Sequence, residues 1–348
     1  MTLEIAWFCI LGFLWTAYFV TEGFDFGVGM LLPVLGKKNA DRRTMFETIG
    51  PVWDGNEVWL VIAGGATFAA FPVWYATMFS GFYLALLLIL AFLVVRVVSF
   101  EWREKSEHPR WQTFWAWMNT IGSVGAPLLW GIALASLLHG VPIGSDQSFA
   151  GDFGDLFSVY TVLAGIAVCL LFALHGAVYL TLRTLGDLRL RARQTATRLA
   201  PAAALVGAGF LVWTLVVAND KNDKGLFPVI LPAVVAAIAA VSAVFFVRAA
   251  QEHRAFAATA TTIVAVVVTL FVGLYPRVMV SDPDFGNSLT IDNASSGHYT
   301  LTVMTVVAAV LIPLIVLYHA WTYHVFRARL GGEDVGTPVD LVARKTGA

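Results

Sequence analysis

Charge is what this chain has least of. Asp, Glu, Lys and Arg make up 13% of its 348 residues, where a soluble domain carries about a quarter. Hydrophobic residues reach 58% and the mean hydropathy is +0.76. A water-soluble globule is excluded, and an integral membrane protein is implied. The 22 basic and 23 acidic residues nearly cancel, so there is no basic footprint and nucleic acid is not an expected partner. Cysteine is almost missing. Cys9 and Cys169 lie in apolar runs with no CxxC spacing, which excludes a disulfide framework and reads as small buried apolar residues. Also absent are a phosphate-binding Gly-rich loop with a Lys, a nucleophile elbow and a zinc-type His/Cys cluster. No basic region precedes the first apolar run, where Glu4 sits instead, and this argues against a cleaved signal peptide.

What is present is a series of apolar stretches, each near the ~20 residues needed to cross a bilayer. They fall at about 4–34, 47–70, 73–100, 113–139, 156–183, 199–218, 227–249, 256–276 and 298–325. The sequence therefore predicts an all-α integral membrane protein with nine spans. Basic residues follow alternate spans: Lys37, Lys38, Arg42 and Arg43, then Arg103, Lys105 and Arg110, then Arg189, Arg191, Arg193 and Arg198. Arg248 and Arg254 border the seventh span, and Arg327, Arg329, Arg344 and Lys345 follow the ninth. The opposite loops hold only Lys221, Lys224 and Arg277. Basic loops mark the cytoplasmic side, which puts the N-terminus outside and the C-terminus inside. Two four-helix bundles plus one peripheral helix fit this count. Residues 1–140 would form the first bundle with an acidic polar path, and 141–280 the second. Residues 281–348 would supply an outer loop, the ninth helix and a cytoplasmic tail. The outer segments 140–155 and 277–297 read as polar loops. The glycines of GFDFGVG and of AGGATF would let helices approach closely.

Four carboxylates break this apolar pattern. Glu22 and Asp25 fall in the first span, Asp54 and Glu57 in the second. Each costs roughly 2.5–3.5 kcal/mol in hydrocarbon even on the lenient scale. Each pair has i, i+3 spacing, so its members share a helix face. Asp54 and Glu57 should lie mid-helix in the cytoplasmic half, near Arg96 and Glu101 of the third span. One arginine cannot neutralise four carboxylates, so some must be protonated, hydrated or metal-bound. A proton path, a structural ion-pair cluster and a cation site are all compatible with the residues. So is a transporter coupling proton or cation movement, although transporters usually show inverted repeats.

Haem iron needs an axial ligand in a shaped pocket. Only His175 and His319 lie within apolar segments, and two isolated histidines are no ligand set. His175 reads as a polar contact inside the bundle or at a partner interface. Tryptophans gather at span ends, where an aromatic belt is expected. Trp53 and Trp59 flank the acidic pair instead, and are candidate walls of a quinone or lipid cavity.

GFDFGVGMLLP, GPVWDGNEVWLVIAGGATFAAFP and FSGFYLALLLILAFLVVRVVSFEWR resemble subunit II of cytochrome bd-type quinol oxidases. WAWMNTIGS, GAVYLTLRTLGDLRLRAR and SLTIDNASSGHYTLTVM extend the resemblance over essentially the whole chain. It implies a haem-free subunit in a bacterial plasma membrane, paired with a subunit I that holds b- and d-type haems. Small single-helix accessory subunits and membrane lipid are further implied neighbours. The complex would oxidise quinol at the outer face and reduce oxygen to water with cytoplasmic protons. The acid of the WDGN motif, here Asp54, would serve that proton path, and Asp25 and Arg96 match family positions. Glu22 and Glu57 stand where common variants carry Asp and Gln. Some members bind a structural quinone in this subunit.

Overall fold

The computed structural model describes residues 2–221 and 225–331. Lys224, Arg344, Lys345 and the expected tail after 331 lie outside them. The order is α1 (Leu3–Leu35), α2 (Asn39–Ile49), α3 (Trp53–Ala70), α4 (Pro72–Gly81), α5 (Tyr83–Arg103) and α6 (Pro109–His139). Then come α7 (Val159–Arg183), α8 (Gly186–Lys221), α9 (Phe227–Arg248), α10 (Glu252–Leu274), β1 (Arg277–Met279), β2 (Leu289–Thr290) and α11 (His298–Val325). Among the described residues, eight helices are long and apolar enough to cross a membrane, and α3 with α4 forms a bent ninth candidate.

Local chemistry sets several boundaries. Ser158 opens α7 with a reciprocal cap to Thr161, which satisfies donors that a helix start leaves unpaired. Pro72 ends α3 because a proline disfavours helical backbone in the residue before it. Phe71 is accordingly non-helical at φ −132° and ψ 68°, and the chain turns by 118° into α4. The expected single span at 73–100 is therefore wrong. Its first part is the separate helix α4, and the span proper starts at Tyr83. At that second break a side chain on Gly81 would meet the Phe149 ring at 2.4 Å, so a loop packs where a continuous helix was expected. Arg189, Arg191, Arg193 and Arg198 are also not in a loop, because α8 already begins at Gly186.

α1 lies at the centre and packs on α3, α6, α7 and α10. Its crossing with α7 leaves no room for side chains. A Cβ on Gly27 would lie 1.9 Å from the Phe172 carbonyl oxygen, and one on Gly176 would lie 2.4 Å from the Gly27 backbone. The glycines of GFDFGVG thus do what their sequence suggests. Those of AGGATF do not: Gly64 and Gly65 have nothing within 4 Å and border a cavity instead. α11 packs on α1 and α3 and buries only Leu301 and His319. Cys9 is exposed and Cys169 half-buried, so neither is the core residue expected. Cys9 looks outward, where an apolar side chain needs no burial in protein if lipid surrounds it, whereas Cys169 Sγ faces the Val124 carbonyl of α6 at 3.6 Å.

Side-chain contacts define two ends. At one, the segments 140–155 and 277–297 pack on each other, with Val141 N–H donating to Val280 O (3.1 Å) and Asn287 Nδ2 to Ile143 O (3.0 Å). They bury Val278, Met279, Val280, Leu289 and Ile291, so these are packed caps and not simply polar loops. At the other end, Arg191 pairs with Asp41 at 2.8 Å, and Glu252 holds both Arg189 and Arg329 at 2.8 Å. Arg103 and Arg42 bond to Asn39 and Thr113 there. These arginines from alternate connections share one face, as the charge alternation predicts.

Candidate functional site

Glu22, Asp25, Asn56 and Arg96 are fully buried between α1, α3 and α5. Arg96 Nη1 donates to Glu22 Oε1, and the guanidinium lies 4.7 Å from the Phe26 ring centroid. Asn119 Nδ2 fixes the α5 backbone by donating to the Arg96 carbonyl (3.3 Å) and to Ser99 Oγ (2.9 Å). One turn further along α1, Asp25 Oδ2 accepts from Asn56 Nδ2 at 2.6 Å. Asn56 Oδ1 in turn accepts from the Tyr323 hydroxyl of α11 at 2.5 Å. Glu22 Oε2, Asp25 Oδ1, Arg96 Nε and Arg96 Nη2 have no hydrogen-bond partner among the described residues. A buried polar atom without a partner is costly, so the cluster has hydrogen-bonding capacity beyond what the protein itself uses.

The four expected acids are thus not equivalent. Glu22 and Asp25 are interior. Glu57 is half-buried and close enough to interact electrostatically with Glu22, Asp25 and Arg96. Asp54 is exposed on the surface of the chain and close enough to Glu57 to interact with it electrostatically. Nor does Asp54 lie mid-helix: α3 starts at Trp53, which puts Asp54 in the first turn. There a carboxylate is favoured by the unpaired N–H groups of the helix start. Glu101, expected nearby, is exposed.

Trp53 and Trp59, the candidate cavity walls, both make aromatic contacts. Trp53 stacks on Phe100 with centroids 5.3 Å apart, and Trp59 packs on His319 at 5.2 Å. A cavity of about 550 Å³ lies elsewhere, between α3, α4 and α5 with α1, α6 and α10 behind it. Its walls are almost wholly apolar and include Trp15, Gly64, Gly65, Trp74 and Trp130. Trp74 is buried, and its indole N–H has no partner among the described residues. The cavity exists because α4 swings away at Pro72 and leaves α3 and α5 apart, a break that hydropathy does not reveal.

His175 is an internal polar contact, as its position suggests. Its Nδ1 is 2.7 Å from Thr259 Oγ1 and its Nε2 is 3.2 Å from the Val20 carbonyl, so both ring nitrogens are engaged within the chain. No group of three or more His, Cys, Asp or Glu side chains suited to a metal occurs among the described residues. Asn119 and Tyr323 escaped the sequence reading. Asn56 was legible, being the polar residue between the acids of WDGNE.

Comparison with known proteins places this arrangement. The family model for cytochrome bd terminal oxidase subunit II matches residues 3–326. The chain belongs to that family. It is 38% identical to the cytochrome bd ubiquinol oxidase subunit 2 of Bacillus subtilis, over 96% of this chain and 98% of that one. Against the cytochrome bd-I ubiquinol oxidase subunit 2 of Escherichia coli K12 the identity is 37%, over 96% of each. The fold resembles a solved bd oxidase chain from Geobacillus thermodenitrificans with a TM-score of 0.73. That match covers 93% of this chain and 98% of the other, at 19% identity. Membership of the bd subunit II family identifies a membrane oxidase subunit and displaces the transporter alternative.

Proposed function

We propose that this chain is the haem-free subunit II of a quinol:oxygen oxidoreductase in a bacterial plasma membrane. A partner subunit I would hold the b- and d-type haems, which supply electron transfer from quinol and the reduction of oxygen to water. This chain would brace that partner and carry protons inward from the cytoplasm. The basic face would be cytoplasmic and the N-terminus outside, as basic residues favour. Two helix groups, α1, α3, α5 and α6 and then α7 to α10, would form the two bundles, with α11 peripheral.

The observation that carries this reading is the graded exposure of four acids running from the surface to the interior. Asp54 is accessible at the start of α3, Glu57 is half-buried, and Asp25 and Glu22 are enclosed. Asp54 would take up the proton, and Glu57 would pass it towards Asp25. Arg96 would hold Glu22 and limit the negative charge of the cluster. The cavity beside Trp74 would take an isoprenoid quinone, its apolar walls matching the tail and the indole N–H a ring carbonyl. Replacing Asp54 by Asn keeps shape and polarity but removes the proton. Asp54→Asn should leave assembly and haem content intact and cut quinol-driven oxygen consumption about tenfold or more, equal to ~1.4 kcal/mol or more in the barrier. Glu57→Gln should be milder, with Asp25→Asn between. Assembled Asp54→Asn enzyme with wild-type oxygen consumption would remove Asp54 from the path.

A further inference from the structure

Tyr323 reaches the acid cluster from a helix that otherwise barely touches the rest of the chain. Its ring meets Phe24 edge-on at 6.2 Å and lies 6.4 Å from His319. Its hydroxyl donates to Asn56 Oδ1 at 2.5 Å. The Asn56 amide is completely enclosed, and its orientation is decided by its neighbours. Nδ2 faces Asp25 Oδ2 at 2.6 Å and the Thr21 carbonyl oxygen at 3.4 Å. A carbonyl oxygen can only accept, so a reversed amide would set Oδ1 against the Thr21 carbonyl. The phenol holds the other end by donating to Oδ1. Asp25 Oδ2 therefore receives an N–H, which is the one hydrogen bond its carboxyl makes among the described residues.

We propose that Tyr323 is a positioning residue for Asp25, fixing the Asn56 amide so that its N–H donates to that carboxyl. The proposal rests on the proton-path reading in one respect: that Asp25 must change protonation during turnover. A donor aimed at Oδ2 favours the ionised carboxylate over the neutral acid. Losing the phenol releases Oδ1 and leaves the amide held only at Nδ2, by the long contact to the Thr21 carbonyl and by Asp25 itself, so the N–H is aimed at the carboxyl less firmly. Other titratable or charged groups around Asp25 are Glu22 on α1, Glu57 on α3, Arg96 on α5 and Tyr179 on α7. None of them donates to Oδ2, so none substitutes for the amide.

The test is Tyr323→Phe in the complete oxidase, which keeps the ring packing and removes only the hydroxyl. Haem content and KM for quinol should stay at wild type, while kcat for oxygen consumption falls about fivefold, the size expected for one neutral hydrogen bond. In infrared difference spectra, the carboxyl band that disappears in Asp25→Asn should move in Tyr323→Phe. Adding Tyr323→Phe to Asp25→Asn should cause no further loss of kcat. Wild-type turnover with an unmoved band would overturn the proposal. So would reduced assembly with surviving enzyme at wild-type kcat, which would make Tyr323 purely structural. A moved band, with Asp25→Asn still at full turnover, would support the positioning role and sink the proton-path reading of Asp25 instead.

Discussion

Removing Arg96 tests the energetics of the cluster most directly. Arg96→Met retains an unbranched apolar stem but withdraws the guanidinium from Glu22 and from its neighbours Asp25 and Glu57. The pair and Asp25 are completely buried, so solvent does not screen the loss there. Breaking a buried pair by deleting one partner typically costs about 3–5 kcal/mol. The contact with Phe26 adds about 1–2 kcal/mol for a desolvated cation–π pair. Even the lower figure for the pair changes a folding or assembly equilibrium by roughly a hundredfold. The companion variant Glu22→Gln/Arg96→Met removes both charges, and replacing a whole buried pair by neutral groups is often close to neutral. It should therefore recover more than half of the loss, the remainder reflecting Asp25 and Glu57 without their cation. The assay is the yield of purified complex and the temperature at which its haem absorbance collapses, for wild type, both single variants and the double variant. If Arg96→Met melts with wild type, or the double variant is no better than the single, the Glu22–Arg96 pair does not hold these helices together.

Two further perturbations probe packing. Gly27→Ala inserts a methyl group 1.9 Å from the Phe172 carbonyl oxygen. α1 and α7 must then separate, so assembled complex should be lost or nearly so; Gly207→Ala, with nothing within 4 Å, is the control and should behave as wild type. Gly65→Leu projects a side chain towards the apolar cavity. It should lower the amount of quinone extracted per complex by severalfold without loss of haem, as read by chromatography of the extract; unchanged quinone would place that molecule elsewhere.

The sequence by itself determined the class of protein, most of its long apolar helices and the sharing of one face by the basic connections. Each follows from short-range physics. Hydropathy sums over ~20 residues, and basic residues accumulate on one side of a bilayer. It also placed Arg96 beside the four acids, without saying which of them it pairs with, because in hydrocarbon a charge without a counter-charge is too costly to keep. Tertiary structure decided the rest. Spacing places Asp54 and Glu57 on one face but cannot say that the α3 start leaves Asp54 exposed while Asn56 is enclosed. That depends on where α2 ends and α3 begins, a break inside a stretch that reads as one. Pro72 was visible, but its 118° turn and the cavity it opens depend on the packing of α4 and α5. The bond from Tyr323 to Asn56 joins residues 267 apart in the chain. No local pattern encodes such a contact, because it exists only once α11 has been laid against α1 and α3.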